Sequence, residues 1–139
     1  MNSQKMLKVG DRIPSHKWIP TELQLRQYAE ASGDYNPIHL DDKYAEQVGL
    51  GGVIAHGMLI MAQMGIMLTD WLQENEQISK FELKFKKMVR PGDTILCVGQ
   101  IKEKLGNTFL YELGAQNQEG IEVVSGTASI TIKQEKSDF

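Results

Sequence analysis

Residues 53–71 read VIAHGMLIMAQMGIMLTDW, and this stretch decides the architecture. From Met58 to Leu68 almost every side chain is apolar right round a 3.6-residue period, interrupted only by Gln63. A helix without a wet stripe has to be surrounded by protein. It is too short to span a bilayer, which takes about 20 apolar residues. The segment therefore reads as a core helix. Its methionines suit gap-filling in a core better than a metal or cofactor site.

Beyond Asn75 the periodicity changes from helical to two. Phe81, Leu83 and Phe85 alternate with Lys80, Glu82, Lys84 and Lys86, which predicts a strand with one apolar face and one wet or partner-facing face. Arg90-Pro91-Gly92-Asp93 places Pro and Gly where a type II turn wants them. Three more strands are predicted at 94–102, 108–116 and 121–133, joined by turns at Gly106-Asn107 and Glu119-Gly120. In the last of them Val124, Ala128, Ile130 and Ile132 oppose Ser125, Thr127, Ser129 and Thr131. Upstream of the core helix, residues 7–18 suggest a short strand and a loop broken by Pro14 and Pro20. Thr21-Glu22-Leu23-Gln24 is a capping box that starts a helix through Tyr28 to about Ala31, ended by Gly33. A second short helix is expected at 42–48, with Asp41 as its N-cap and Gly49 at its end. Gly49-Leu50-Gly51-Gly52 reads as a flexible connector rather than a phosphate loop, because no Gly-Lys-Ser/Thr follows.

Helices followed by antiparallel strands give an α+β domain with the sheet on one side of the long helix. Such a sheet leaves an edge and some apolar surface uncovered, which pairing with a second copy remedies, so a homodimer is expected. With 139 residues and 41% hydrophobic content the chain suits one domain over 1–139, with residues 134–139 as a flexible tail. A net charge of −3 provides no basic field for nucleic acid. The first residues, MNSQKMLKVGDRI, contain no apolar run of signal type, so cytoplasmic residence without a membrane partner is the expectation. The single Cys97 lies in an apolar strand and reads as packing. His16 stands alone in a loop, and no His/Cys pair has ligand spacing, so no metal and no cofactor is expected. The absence of Gly-x-Ser-x-Gly weakens a serine hydrolase. Trp18 and Trp71 lack the basic neighbours of a base-stacking platform.

The chemistry concentrates in Ala31–Asp42, ASGDYNPIHLDD. A carboxylate, Asp34, and an imidazole, His39, lie five residues apart across a segment stiffened by Pro37. Pro37 drives Asn36 out of the helical region, which predicts an extended bend able to aim both side chains at one point. Taken alone, Asp34 and Asn36 also suit an ordinary turn in which they bond their own backbone, with His39 half buried. One acid and one imidazole beside a small molecule suit proton transfer.

SGDYNPIHLD followed by AHGM at this distance, with VGDRI near the N-terminus and FKKMVRPGD after the central helix, resembles the hydratase 2 motif of MaoC-like proteins. These are the (R)-specific enoyl-CoA hydratases and (3R)-hydroxyacyl thioester dehydratases of the hot dog fold. The resemblance implies a single hot dog domain, a curved antiparallel sheet wrapped around a long central helix. It also implies reversible syn addition of water to a trans-2-enoyl thioester on CoA or an acyl carrier protein in fatty acid metabolism. Asp34 and His39 become the proton-transfer pair, and the Gly57 amide the donor to the thioester oxygen. Asn36 would fix the loop or touch substrate, and His56 would cap the central helix, support the site or contact substrate. Lys84, Lys86, Lys87 and Arg90 form the densest basic cluster, and the resemblance makes Lys86 and Arg90 candidates for the carrier phosphates. Some members carry a Ser a few residues after His-Gly-Met, where this chain has Met61, Ala62 and Gln63. Two other classes compete: a non-catalytic thioester-binding or partner subunit of a hot dog heterodimer, and an acyl-CoA thioesterase. The presence of both Asp34 and His39 argues against the first, and their spacing argues against the second.

Overall fold

The computed structural model describes residues 7–133. The tail expectation for 134–139 lies outside them. A short strand β1 (His16–Trp18) leads into helix α1 (Glu22–Ser32), a 3₁₀ turn at Pro37–His39, helix α2 (Asp42–Gln47) and the long helix α3 (Gly57–Trp71). Four strands follow: β2 (Glu76–Phe85), β3 (Ile95–Leu105), β4 (Thr108–Gln116) and β5 (Glu122–Ile132). All five strands form one antiparallel sheet in the order β1-β3-β4-β5-β2. Strands β3 to β5 form a meander, and β2 crosses to the far edge beside the last strand. This is the α+β hot dog arrangement that the periodicities and the resemblance implied.

The local signals behave as their chemistry dictates. The Thr21 hydroxyl accepts the Gln24 amide at the start of α1, and Gly33 ends it in the left-handed region at φ 81°. The capping box is only half formed, however, because the Gln24 carboxamide oxygen accepts Trp18 Nε1–H at 2.8 Å. A buried indole N–H needs an acceptor more than an exposed first-turn amide does. Asp41 caps α2 through the Tyr44 amide. The Asp93 amide closes the turn onto the Arg90 carbonyl with Gly92 at φ 91°.

Three expectations are corrected. Helix α3 is not surrounded by protein within one chain. Leu59, Ile60, Met64, Met67 and Leu68 face the core, whereas Met58 is 63% exposed and Ile66 is also exposed. Its polar interruption, Gln63, is buried and accepts a hydrogen bond from His16 Nε2 at 2.8 Å. His16 therefore stands in β1 with a partner rather than alone in a loop. Finally, the Gly49–Gly52 segment is not a free connector. The Arg90 guanidinium donates to the Leu50 and Gly52 carbonyls, and the Asp42 carboxylate accepts the Val53 amide at 3.0 Å. These bonds set the path by which the chain enters α3.

One continuous core cluster runs from Ile13 through α3 to Ile130. Cys97 is fully buried within it, and burial pushes its thiol up to about 12.

Candidate active site

The loop after α1 is assembled by short polar side chains bonding nearby backbone. The Asp34 amide donates to Ser32 Oγ at 3.1 Å, and the Asn36 amide donates to Asp34 Oδ1 at 3.2 Å. The Ile38 amide donates to Asn36 Oδ1, also at 3.2 Å. Pro37 then opens a 3₁₀ turn rather than the extended bend expected from its sequence. Pro37 does keep Asn36 non-helical (φ −55°, ψ 125°), but its own fixed φ suits the first position of a helical turn. The turn delivers His39 into the protein, 9% exposed, while the Asp34 side chain remains exposed.

His39 Nδ1 lies 2.7 Å from the Ile54 carbonyl oxygen. A carbonyl can only accept, so Nδ1 carries the proton and Nε2 is the nitrogen left for chemistry. His56, immediately before α3, places its Nε2 3.2 Å from the Asp34 main-chain carbonyl, and the same logic puts its proton on Nε2. The two imidazoles stack with centroids 3.9 Å apart and planes at 22°, and the Tyr28 ring meets His56 edge-on at 4.8 Å. Burial pulls the His56 pKa below its ordinary value, and the nearby His39 adds to this. The bond to the Asp34 carbonyl and the Asp34 charge act in the opposite direction.

One donor atom each from Asp34, His39 and His56 lie within 4.8 Å of one another. This trio could offer three ligands to a cation. However, each ring already commits one nitrogen to a main-chain carbonyl, His39 Nδ1 to Ile54 and His56 Nε2 to Asp34.

A cavity of about 500 Å³ opens beside His39, lined by Ile54, Ala55, Gly57, Ile60, Phe85, Lys86, Lys87, Met88 and Val89. Gly57 is the first residue of α3, so its N–H has no intrahelical acceptor and lies at the positive end of the helix. A methyl group built on Gly57 would approach the Phe85 ring tip at 3.4 Å, so the open side of this glycine faces the cavity wall.

The structure thus gathers Asp34, His39 and His56, with His39 and Gly57 on the cavity. Lys86 also lines it and pairs with Glu122 at 2.7 Å. Asp34, Asn36, His56 and Arg90 are not among the cavity-lining residues. Asn36 is occupied in holding its turn, and His56 lies behind His39 at 1% exposure. Arg90 does not offer a free cation for carrier phosphates, because its guanidinium is committed to the loop carbonyls. Sequence reasoning missed Tyr28 and the Ile54 carbonyl. Tyr28 is an ordinary residue of a predicted helix, and a main-chain oxygen has no signature in residue type.

Residues 5–117 match the family model described as MaoC like domain. Over 132 residues the chain is 32% identical to a mitochondrial 3-hydroxyacyl-[acyl-carrier-protein] dehydratase of Arabidopsis thaliana, covering 91% of this chain and 78% of that protein. It is 28% identical over 105 residues to the fatty acid synthase subunit beta of Saccharomyces cerevisiae, covering 74% of this chain but only 5% of that protein. Among solved structures, the unliganded R-hydratase PhaJ1 from Pseudomonas aeruginosa superposes with a TM-score of 0.83 at 30% identity, over 96% of this chain and 90% of that one.

Proposed function

The chain belongs to the family of MaoC-like dehydratases, and from that premise we propose that it is a hydro-lyase that adds water reversibly to trans-2-enoyl thioesters, giving (3R)-3-hydroxyacyl thioesters. The observation that carries this reading is an exposed carboxylate, Asp34, beside a tautomer-fixed imidazole, His39, that lines one cavity together with the free helix-start amide of Gly57.

In the hydration direction the Asp34 carboxylate takes a proton from a water held against His39 Nε2. The water oxygen bonds to the β carbon, and the π electrons move through the α carbon toward the thioester oxygen. The Gly57 N–H, unsatisfied within its helix, stabilises that developing charge, which is the usual role of an oxyanion donor. As the carbonyl re-forms, the Asp34–His39 pair delivers a proton to the α carbon, and both residues return to their starting states. The cavity's apolar wall suits an acyl chain, and Lys86 and Lys87 at its rim suit the phosphates of CoA or of a carrier protein's pantetheine arm. The Arabidopsis relative, whose name specifies acyl carrier protein, keeps both carriers in play.

The functional unit in this reading is a homodimer of single-domain chains. Met58, Ile66, Phe85 and Met88 are exposed on one chain, and Phe85 and Met88 belong to the cavity wall. A second copy covering them would complete that wall. Light scattering should give twice the 15.6 kDa chain mass, and an active species of that single mass would refute the dimer. The cytoplasm remains the proposed location. Among the described residues no helix is long and apolar enough to cross a membrane.

Loss of conjugated-thioester absorbance with crotonyl-CoA tests the activity, and a (3R)-specific dehydrogenase identifies the product. Release of free CoA thiol instead would establish a thioesterase. No turnover of any enoyl thioester would point to a non-catalytic partner subunit.

A further inference from the structure

We propose that His56 is a positioning residue that holds Asp34 and His39 together, and that it does so as a neutral imidazole with its one proton on Nε2. This inference rests on the proposed reaction, since it concerns the groups that carry it.

Three observations support it. First, His56 reaches both members of the pair. Its Nε2–H holds the Asp34 main chain at 3.2 Å, and its ring backs the His39 ring at 3.9 Å. His39 is then held at its edge by the Ile54 carbonyl and on its face by His56. The Asp34 loop, bonded among the described residues to its own neighbours, gains an anchor at the N-cap of α3.

Second, His56 occupies the N-cap of α3 and makes no side-chain cap bond. Ser, Thr, Asp or Asn there would satisfy a first-turn amide and stabilise the helix by about 1 kcal/mol. This chain instead turns the side chain away toward the loop. The orientation forgoes that stabilisation in favour of a bond to the Asp34 loop.

Third, nothing around the ring accommodates a second proton. Nδ1 is buried and has no hydrogen-bond partner among the described residues. The groups facing His56 are Asp34 from the loop, His39 from the 3₁₀ turn and Tyr28 from α1. Tyr28 packs its ring against His56 at 4.8 Å without a hydrogen bond to Nδ1. His39 would place a like charge face to face, and the Asp34 carboxylate is exposed to water, which screens its attraction. Burial disfavours the cation as well. A neutral His56 with Nε2–H is the state that keeps its only proton on the Asp34 carbonyl.

The test combines a spectroscopic readout with two variants. Ring nitrogen shifts in ¹⁵N-labelled protein should show His56 with a bare Nδ1 and a protonated Nε2, persisting below the ordinary imidazole value of 6.5. A protonated Nδ1 at neutral pH would overturn the proposal whether or not the protein turns over substrate. In crotonyl-CoA hydration, His56→Phe keeps the ring and removes the donor. Its kcat should fall about 10- to 100-fold, the scale of a slight misplacement of reacting groups, with little change in KM or in thermal midpoint. His56→Gln restores a donor of similar reach and should recover much of the loss. A His56→Phe protein with wild-type kcat would also overturn the idea while leaving the hydratase reading intact; an inactive wild type would remove that reading instead.

Discussion

His39 Nδ1 and the Ile54 carbonyl oxygen lie 2.7 Å apart, joining a 3₁₀ turn to the strand-like segment that enters α3, fifteen residues further along the chain. Because the carbonyl can only accept, this bond selects the tautomer and leaves Nε2 as the ring nitrogen without a proton. A second tie between the same segments, Ile54 N–H to Ile38 O at 3.1 Å, fixes the separation. The unprotonated ring nitrogen is thus oriented by main-chain groups.

The proton-transfer pair should be separable from folding. Asp34→Asn keeps the oxygen that accepts the Asn36 amide but removes the base. His39→Asn keeps a donor for the Ile54 carbonyl but removes the second ring nitrogen. Each should retain its circular dichroism and lose about 10²-fold or more in hydration rate. Near-normal turnover in either variant would take that residue out of the mechanism.

At Gly57 a methyl group is compatible with the fold, since its φ is not in the left-handed region and the nearest neighbour is an exposed Phe ring at 3.4 Å. Gly57→Ala should therefore keep its thermal midpoint while crowding the thioester oxygen. Loss of one oxyanion donor is typically worth about 10²- to 10³-fold in kcat, and we expect a fall toward that range. Unimpaired kinetics would show that the carbonyl lies elsewhere.

The two basic residues should diverge. Lys86→Glu, at the rim of the cavity, should raise KM for the thioester and change its salt dependence while leaving kcat nearly unchanged, as expected for uniform binding. Arg90→Met should act on stability instead, because the carbonyls of Leu50 and Gly52 lose charged donors, a change of about 2 kcal/mol. Urea midpoints and KM values for both proteins check this. An Arg90→Met protein that is as stable as wild type but weakened only in KM would reverse the assignment.

Alkaline pH should destabilise the fold through two core groups. Burial raises Cys97 from 9.0 to about 12. Burial likewise raises Tyr111 from 10.0 to about 12, with the Trp71 hydrogen bond pulling it back. Both folded values lie above the unfolded ones, so the folded state binds these protons more tightly. That stability is complete below pH 9 and is lost as pH climbs toward about 12. Thermal midpoints should fall over this window, and less steeply in Cys97→Ala. A flat midpoint between pH 9 and 11 would contradict the burial argument.

The sequence by itself determined the elements and the candidate pair. Strand β4 runs over Thr108–Gln116 between the turns that bound it in the sequence, α3 covers the apolar run, and the glycines at 33, 92 and 106 turn the chain in the left-handed region. These features are local, written in periodicity and in the steric freedom of single residues. The Asp34-to-His39 spacing was legible for the same reason. The tertiary structure alone decided what each side chain does with that placement. It gave the Gln24 carboxamide to Trp18 instead of its own helix cap, spent Arg90 on a loop, joined His16 to Gln63, and set His56 behind His39. The Arg90 and His16 contacts cross 38 to 47 residues of chain, and those of Arg90 end on main-chain carbonyls, which every residue carries alike. Only the packing of the sheet against α3 and the 3₁₀ turn settles which of those carbonyls stands within reach of which donor.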